Sequence, residues 1–209
     1  GSLALIASAF RFFALPPDGF PCRLRTPAAA TDGWNSPYTI FESHLSDRPF
    51  IVDTIREFFH RRGAALRYLL HPIYSVERDA AGAIVRMRSL DTAAQKESFV
   101  HCAIDRLPDA ELADLERRLT DCLGDVRAAT DDYPKMRDQL AAVQAELAHS
   151  PGSETDEARR LLGWLGDGNF VFLGYGSVDQ SSSCEGRGRR FAESSALGVL
   201  RIPERAREI

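Results

Sequence analysis

The run Glu97-Ser98-Phe99-Val100-His101-Cys102-Ala103-Ile104-Asp105 is the clearest strand in the chain. Successive strand side chains point to opposite faces, so Val100, Cys102 and Ile104 share one face and Phe99, His101 and Ala103 the other. A strand with an apolar face needs helices to cover it, and two amphipathic helices flank this one in sequence. Upstream, Ser46-Asp47-Arg48-Pro49 opens a helix with Ile51, Ile55, Phe58 and Phe59 on one face. Proline suits a first helical turn, where its missing N–H costs nothing. Arg61 and Arg62 followed by Gly63 close that helix. Downstream, Pro108, Asp109 and Glu111 open a helix with the stripe Leu112, Leu115, Leu119, Cys122 and Leu123, and Gly124 reads as its stop.

Working outward, 39–45 reads as a strand carrying Ile40, Phe41 and Leu45, and 66–78 as a long strand kinked at Pro72. Asp79-Ala80-Ala81-Gly82 turns it into a hairpin arm over 83–88, and 125–130 reads as the last strand. The order over 38–130 is therefore βαββαβ. The fold class is α+β: a ferredoxin-like sandwich with extra flanking helices and a partial second α/β region. Right-handed crossovers put both helices on one side of the sheet, so Val100, Cys102 and Ile104 should pack against Ile55, Leu115 and Leu119. The opposite face, with Phe99 and His101, is expected to be an interface. The helices after Tyr133, or a second copy of the chain, would cover it.

Residues 3–15 form an expected helix, stopped by Pro16-Pro17-Asp18-Gly19, and 22–25 a short strand. After 130, helices are expected over 135–148 and 155–165, joined by the hinge Ser150-Pro151-Gly152-Ser153. A strand over 170–178, a mobile stretch over 180–190 and a returning strand over 197–202 follow. The expected domains are an N-terminal helix and linker (1–37), the βαββαβ domain (38–132), a helical connector (133–168) and the start of a β-containing region (169–209).

The composition bounds the function. The 209 residues carry 26 basic and 30 acidic side chains, a net charge of −4, so no global positive field attracts nucleic acid. The basic run Arg187, Arg189 and Arg190 reads as a solvated loop. Cys22, Cys102, Cys122 and Cys184 have long irregular spacings that suit free thiols in a reducing, cytoplasmic setting. The apolar N-terminal run is too short to span a bilayer and is broken by Arg11. No membrane partner is expected. His44, His60, His71, His101 and His149 are scattered, and no metal site is expected. Gly166-Asp167-Gly168-Asn169 precedes a strand, whereas a dinucleotide-binding glycine turn follows one, so it reads as a plain turn. No catalytic motif occurs. An RNA-recognition module shares the βαββαβ order, but it stacks bases on exposed sheet aromatics, for which Phe99 is the sole strong candidate on its strand.

Several segments in order resemble the N-terminal region of the large bacterial NAD-dependent glutamate dehydrogenases. They are Gly33-Trp34, Asp47-Arg48-Pro49-Phe50-Ile51-Val52-Asp53-Thr54, Glu97-Ser98-Phe99-Val100-His101, Ile104-Asp105-Arg106 and Asp125-Val126-Arg127-Ala128-Ala129. Asp132, Tyr133 and Met136, then Leu161-Leu162-Gly163-Trp164-Leu165, Phe170-Val171-Phe172-Leu173-Gly174-Tyr175 and Leu197-Gly198-Val199-Leu200-Arg201 continue the set. The resemblance implies an ACT-like domain over the βαββαβ stretch, placed ahead of a distant catalytic domain. It implies a non-catalytic regulatory and assembly region, with no catalytic or cofactor residues of its own. NAD and the oxidative deamination of glutamate to 2-oxoglutarate would belong to the parent enzyme. The implied partners are the remainder of the polypeptide, a homo-oligomer and an amino-acid effector; a freestanding amino-acid sensor is the alternative. The usual ligand-binding ACT loop looks like Asp-Arg-Pro-Gly, so Asp47, Arg48, Pro49 and Phe50 are the effector-site candidates. Arg48 would meet a carboxylate. Phe50 stands where the pattern has glycine, and its benzyl group is expected to fill the pocket or pack into the core.

Overall fold

Val100, Cys102 and Ile104 are buried with Ile55, Leu115 and Leu119 in one apolar core, as the strand alternation requires. In the computed structural model the described residues are 2–89, 95–149, 152–183 and 186–206. They divide into two compact units, Gly1–Leu123 and Gly124–Ile209.

The first unit holds α1 (Ser2–Phe13), β1 (Cys22–Arg25), α2 (Ala29–Asp32), β2 (Thr39–Ser46), α3 (Ile51–Arg61), β3 (Leu66–Leu70), β4 (Ile73–Arg78), β5 (Ile84–Ser89), β6 (Lys96–Ile104) and the start of α4 (Asp109–Ala148). The sheet order is β1-β2-β6-β4-β5, with β3 also paired to β6, and every ladder is antiparallel. The strand expected over 66–78 breaks at His71-Pro72 into β3 and β4, both on β6. Proline offers no N–H to a ladder. α3 ends in a Schellman arrangement: Gly63, at φ 70°, donates to the His60 carbonyl and Ala64 to that of Phe59.

The architecture is α+β and ferredoxin-like, with one exchange at the sheet edge. The strand expected over 125–130 does not form, because α4 runs unbroken through Gly124 and Pro134. Ala128, Asp132 and Met136 fall four apart and are all buried, so the segment obeys a helical period. The edge beside β2 is taken instead by β1, in the register Cys22↔Ser43 to Arg25↔Ile40. Glu116 of α4 accepts the Leu24 N–H at 2.6 Å, which occupies one backbone donor of this short strand.

The second sheet face is covered by α1. Phe12 and Phe13 pack with Val76 and Phe99, and Trp34 packs with Ile40, Ala103, Ala4 and Leu5. The N-terminal helix and linker lie in the same compact unit as the sheet.

The second unit continues α4 and adds α5 (Ser153–Trp164), a π-helical turn (Leu165–Asn169), β7 (Gly174–Tyr175), β8 (Val178–Ser183), β9 (Gly186–Phe191), β10 (Leu197–Gly198) and α6 (Pro203–Ala206). The strand expected over 170–178 is reduced to the β7–β10 pair, and a 3-10 turn (Val199–Arg201) replaces most of the returning strand. The stretch expected to be mobile pairs as the β8–β9 hairpin, with Arg187, Arg189 and Arg190 on β9. Cys184 and the Ser150-Pro151 part of the expected hinge lie outside the described residues.

Candidate functional site

The loop Asp47-Arg48-Pro49-Phe50 joins β2 to α3. The Asp47 N–H donates to the Lys96 carbonyl at 2.8 Å, and Arg48 Nε donates to the Ser46 carbonyl at 3.3 Å. Phe50 caps α3 in the left-handed region, φ 71° and ψ 0°, and no side chain caps this helix start. The backbone thus adopts the shape that favours glycine, although the residue is phenylalanine. The expectation that the ring fills a pocket or enters the core is corrected: Phe50 is 45% exposed. His71, at the break between β3 and β4, bonds the Ser98 hydroxyl of β6 at 2.6 Å. Burial lowers the His71 pKa, and the Asp47 carboxylate opposes the shift. Ser98 is buried, so this pair leaves no room for a substrate at the hydroxyl.

A second polar cluster lies beneath α1, and the sequence reading missed most of it. Glu42 and His44 project from β2 on the face that Glu97, Phe99 and His101 share on β6. The register sets Glu42 against His101 and His44 against Phe99. His101 Nδ1 lies 3.0 Å from Glu42, and its Nε2 lies 3.2 Å from the Tyr68 hydroxyl. Arg23 of β1 donates to the same carboxylate at 2.5 Å. Burial pushes the Glu42 carboxyl up, but the hydrogen bonds from His101 and Arg23 outweigh it and the net shift is downward.

At the other end, Arg78 of β4 holds Glu97 through two 2.8 Å bonds, and His44 Nε2 approaches the same carboxylate at 2.8 Å. Burial raises the Glu97 carboxyl, yet the Arg78 and His44 bonds prevail and hold it at about 2. His44 Nδ1 reaches the Leu15 carbonyl at 3.0 Å, while Arg78 donates to the Phe13 and Ala14 carbonyls at 3.2 and 3.0 Å. These carbonyls belong to the orphan acceptors that the end of a helix exposes. Both His44 nitrogens therefore face oxygen atoms, one on Leu15 and one on Glu97. The cluster is an ionic clamp that fixes α1 over the sheet. Phe99 and His101, the expected interface residues, lie within it, buried by the chain's own helix.

The thiols of Cys22 and Cys102 are pushed by burial up to about 12, which leaves them unreactive at neutral pH. Among the described residues no group of three or more His, Cys, Asp or Glu is placed to hold a metal ion. A cleft of about 560 Å³ in the first unit is lined by Asp53, Arg56, Glu57, His60, Ala64, Ala65 and Leu66, an exposed surface with charges of both signs.

A family model described as glutamate dehydrogenase, ACT1 domain, matches residues 2–119. The chain belongs to this glutamate dehydrogenase ACT1 family. The match begins at α1 and includes β1, so the elements that cover the second face and complete the sheet edge lie inside it. The chain is 32% identical over 188 residues to an NAD-specific glutamate dehydrogenase of Pseudomonas aeruginosa, covering 86% of this chain and 12% of that protein. A protein of the same description from Halomonas elongata is 32% identical over 200 residues, 90% of this chain and 12% of the relative. One from Mycobacterium tuberculosis is 29% identical over 161 residues, 72% of this chain and 10% of the relative. The chain thus spans about an eighth of the length of the first two.

The relatives' description names NAD, and this chain has one glycine run that bears on it. Gly166-Asp167-Gly168-Asn169 lies in the π-helical turn after α5 and is followed by irregular chain and β7. A pyrophosphate cradle needs strand, glycine turn and helix N-terminus in that order. The Gly166–Asn169 run does not have that order. No helix among the described residues is long and apolar enough to cross a membrane.

Proposed function

We propose that this chain is a non-catalytic regulatory and assembly region of a longer cytoplasmic NAD-dependent glutamate dehydrogenase. The oxidative deamination of glutamate to 2-oxoglutarate would proceed elsewhere in that polypeptide. The match of the ACT1 family over residues 2–119 carries this reading. The relatives support it: they extend far beyond the matched part, and their name assigns the dehydrogenase activity to the whole. Within the region, the Glu42 and Glu97 clusters hold elements in place.

Regulation requires a contact that differs between states of the enzyme, and a coupling of about 1–3 kcal/mol suffices. We assign that contact to the Asp47–Phe50 loop, which joins the central strand β2 to α3 and carries an exposed aromatic ring. An amino-acid effector there would use Arg48 for its carboxylate and Asp47 for its ammonium group. The purified chain is also expected to join a homo-oligomer through the parent's assembly. Calorimetric titration with amino acids tests the effector assignment. Saturable heat that disappears in Asp47→Ala supports it, and no heat with any proteinogenic amino acid rejects it.

A further inference from the structure

The stretch 161–178 carries a single charged residue, Asp167. Leu161 and Trp164 of α5, followed by Phe170, Val171, Leu173 and Val178, are each between 47% and 58% exposed. Six large apolar side chains in so short a span form a surface that isolated soluble domains rarely leave bare. The buried apolar residues described in this unit are Ala128, Ala129 and Met136.

The small ladder beside this surface is also unfinished. Among the described residues β7 and β10 pair with each other alone, through Leu197↔Tyr175 and Gly198↔Gly174, and since Asp132 occupies the Gly198 N–H, the edge left for another strand is that of β7. The later chain runs close by. Val199 donates to the Leu173 carbonyl at 2.9 Å, and Asp132 of α4 holds Gly198 N–H and Arg201 at 2.9 and 2.5 Å. Polypeptide continuing beyond α6 would start near this surface, at the high effective concentration that a short tether gives. The curated relatives have such polypeptide in abundance, since this chain covers 12% of the first two.

We infer that the 161–178 surface is the docking face for the polypeptide that follows this segment in a longer glutamate dehydrogenase, which lays apolar strand residues against Leu173 and the β7–β10 ladder. The inference rests on the reading of the chain as part of a longer enzyme. Hydrogen exchange followed by mass spectrometry, on the 209-residue chain and on the longer enzyme, tests it. Amides of 170–178 should exchange about a hundredfold more slowly in the longer enzyme, with 39–46 and 97–104 unchanged. Leu173→Asp in the longer enzyme should restore fast exchange at 170–178. Equal exchange of 170–178 in the two proteins overturns the inference. So does a dimer of the 209-residue chain that Leu173→Asp abolishes, because the face would then belong to a second copy. A longer protein that protects 170–178 but does not oxidise glutamate would reject the functional reading and leave the docking face standing.

Discussion

Phe50 holds a backbone shape that a Cβ makes unfavourable. A left-handed conformation costs a non-glycine residue about 1–2 kcal/mol, and this ring recovers little of that through burial because it is 45% exposed. Phe50→Gly should therefore raise the urea midpoint, by about 1 kcal/mol once the added freedom of the unfolded glycine is subtracted. A lowered midpoint would mean that the ring makes a contact worth more than the strain. Glu97 gives a prediction of the opposite sign. Its carboxyl ionises at about 2 in the fold against an ordinary 4.5. A depressed acid contributes stability that is complete above its unfolded value and is lost as pH falls through the folded one. The urea midpoint should thus drop between pH 4.5 and about 2 through this group. Glu97→Gln should flatten that part of the profile. At neutral pH it should cost about 1–3 kcal/mol, because the partly buried Arg78 loses its charged partner while keeping the Phe13 and Ala14 carbonyls. An acid limb unchanged by the substitution would contradict the clamp.

At the scale of elements, α3 and α4 share one sheet face, and Leu115 lies in their common core at 1% exposure. Leu115→Ala should cost about 2–5 kcal/mol in urea unfolding; a midpoint unchanged within error would remove that leucine from the core. In the second unit, Gly198 sits at φ 62° with the Leu173 carbonyl where a Cβ would be. Gly198→Ala should speed amide exchange across 170–178 while leaving β2 and β6 protected, and unchanged exchange there would deny the close approach. Both helices, the Pro72 break and the two faces of β6 were legible in the sequence, because apolar spacing states them directly. The strand expected over 125–130 was misread for a definite reason. Ala128, Asp132 and Met136 form a helical stripe, but its middle member is an aspartate whose partners, Gly198 and Arg201, lie far along the chain. The short β1 showed no sign that it would take the sheet edge, since strand order is set by pairing and not by local pattern.

At the scale of the molecule, a ferredoxin-like sheet has helices on one face and leaves the other to be covered. Here α1 covers it, and the ionic clamp of Glu97, His44 and Arg78 holds the helix end. The placement of Phe99 and His101 on one face of their strand was visible in the sequence, and Glu42, His44 and Glu97 beside them were not read. The union of these groups was not visible there, because it depends on the β2–β6 register and on Arg23 and Arg78 from other strands. The candidate effector loop was legible as a motif, whereas the left-handed turn at Phe50 appeared only with the backbone. On the proposed reading, the region's contribution to a dehydrogenase would be control and assembly. The most direct test removes residues 1–123 from the longer glutamate dehydrogenase and measures NAD binding alongside assembly state and effector response. The account predicts that NAD affinity survives while assembly or effector response is lost; loss of NAD binding in a correctly folded remainder would place the redox site in this region and contradict it.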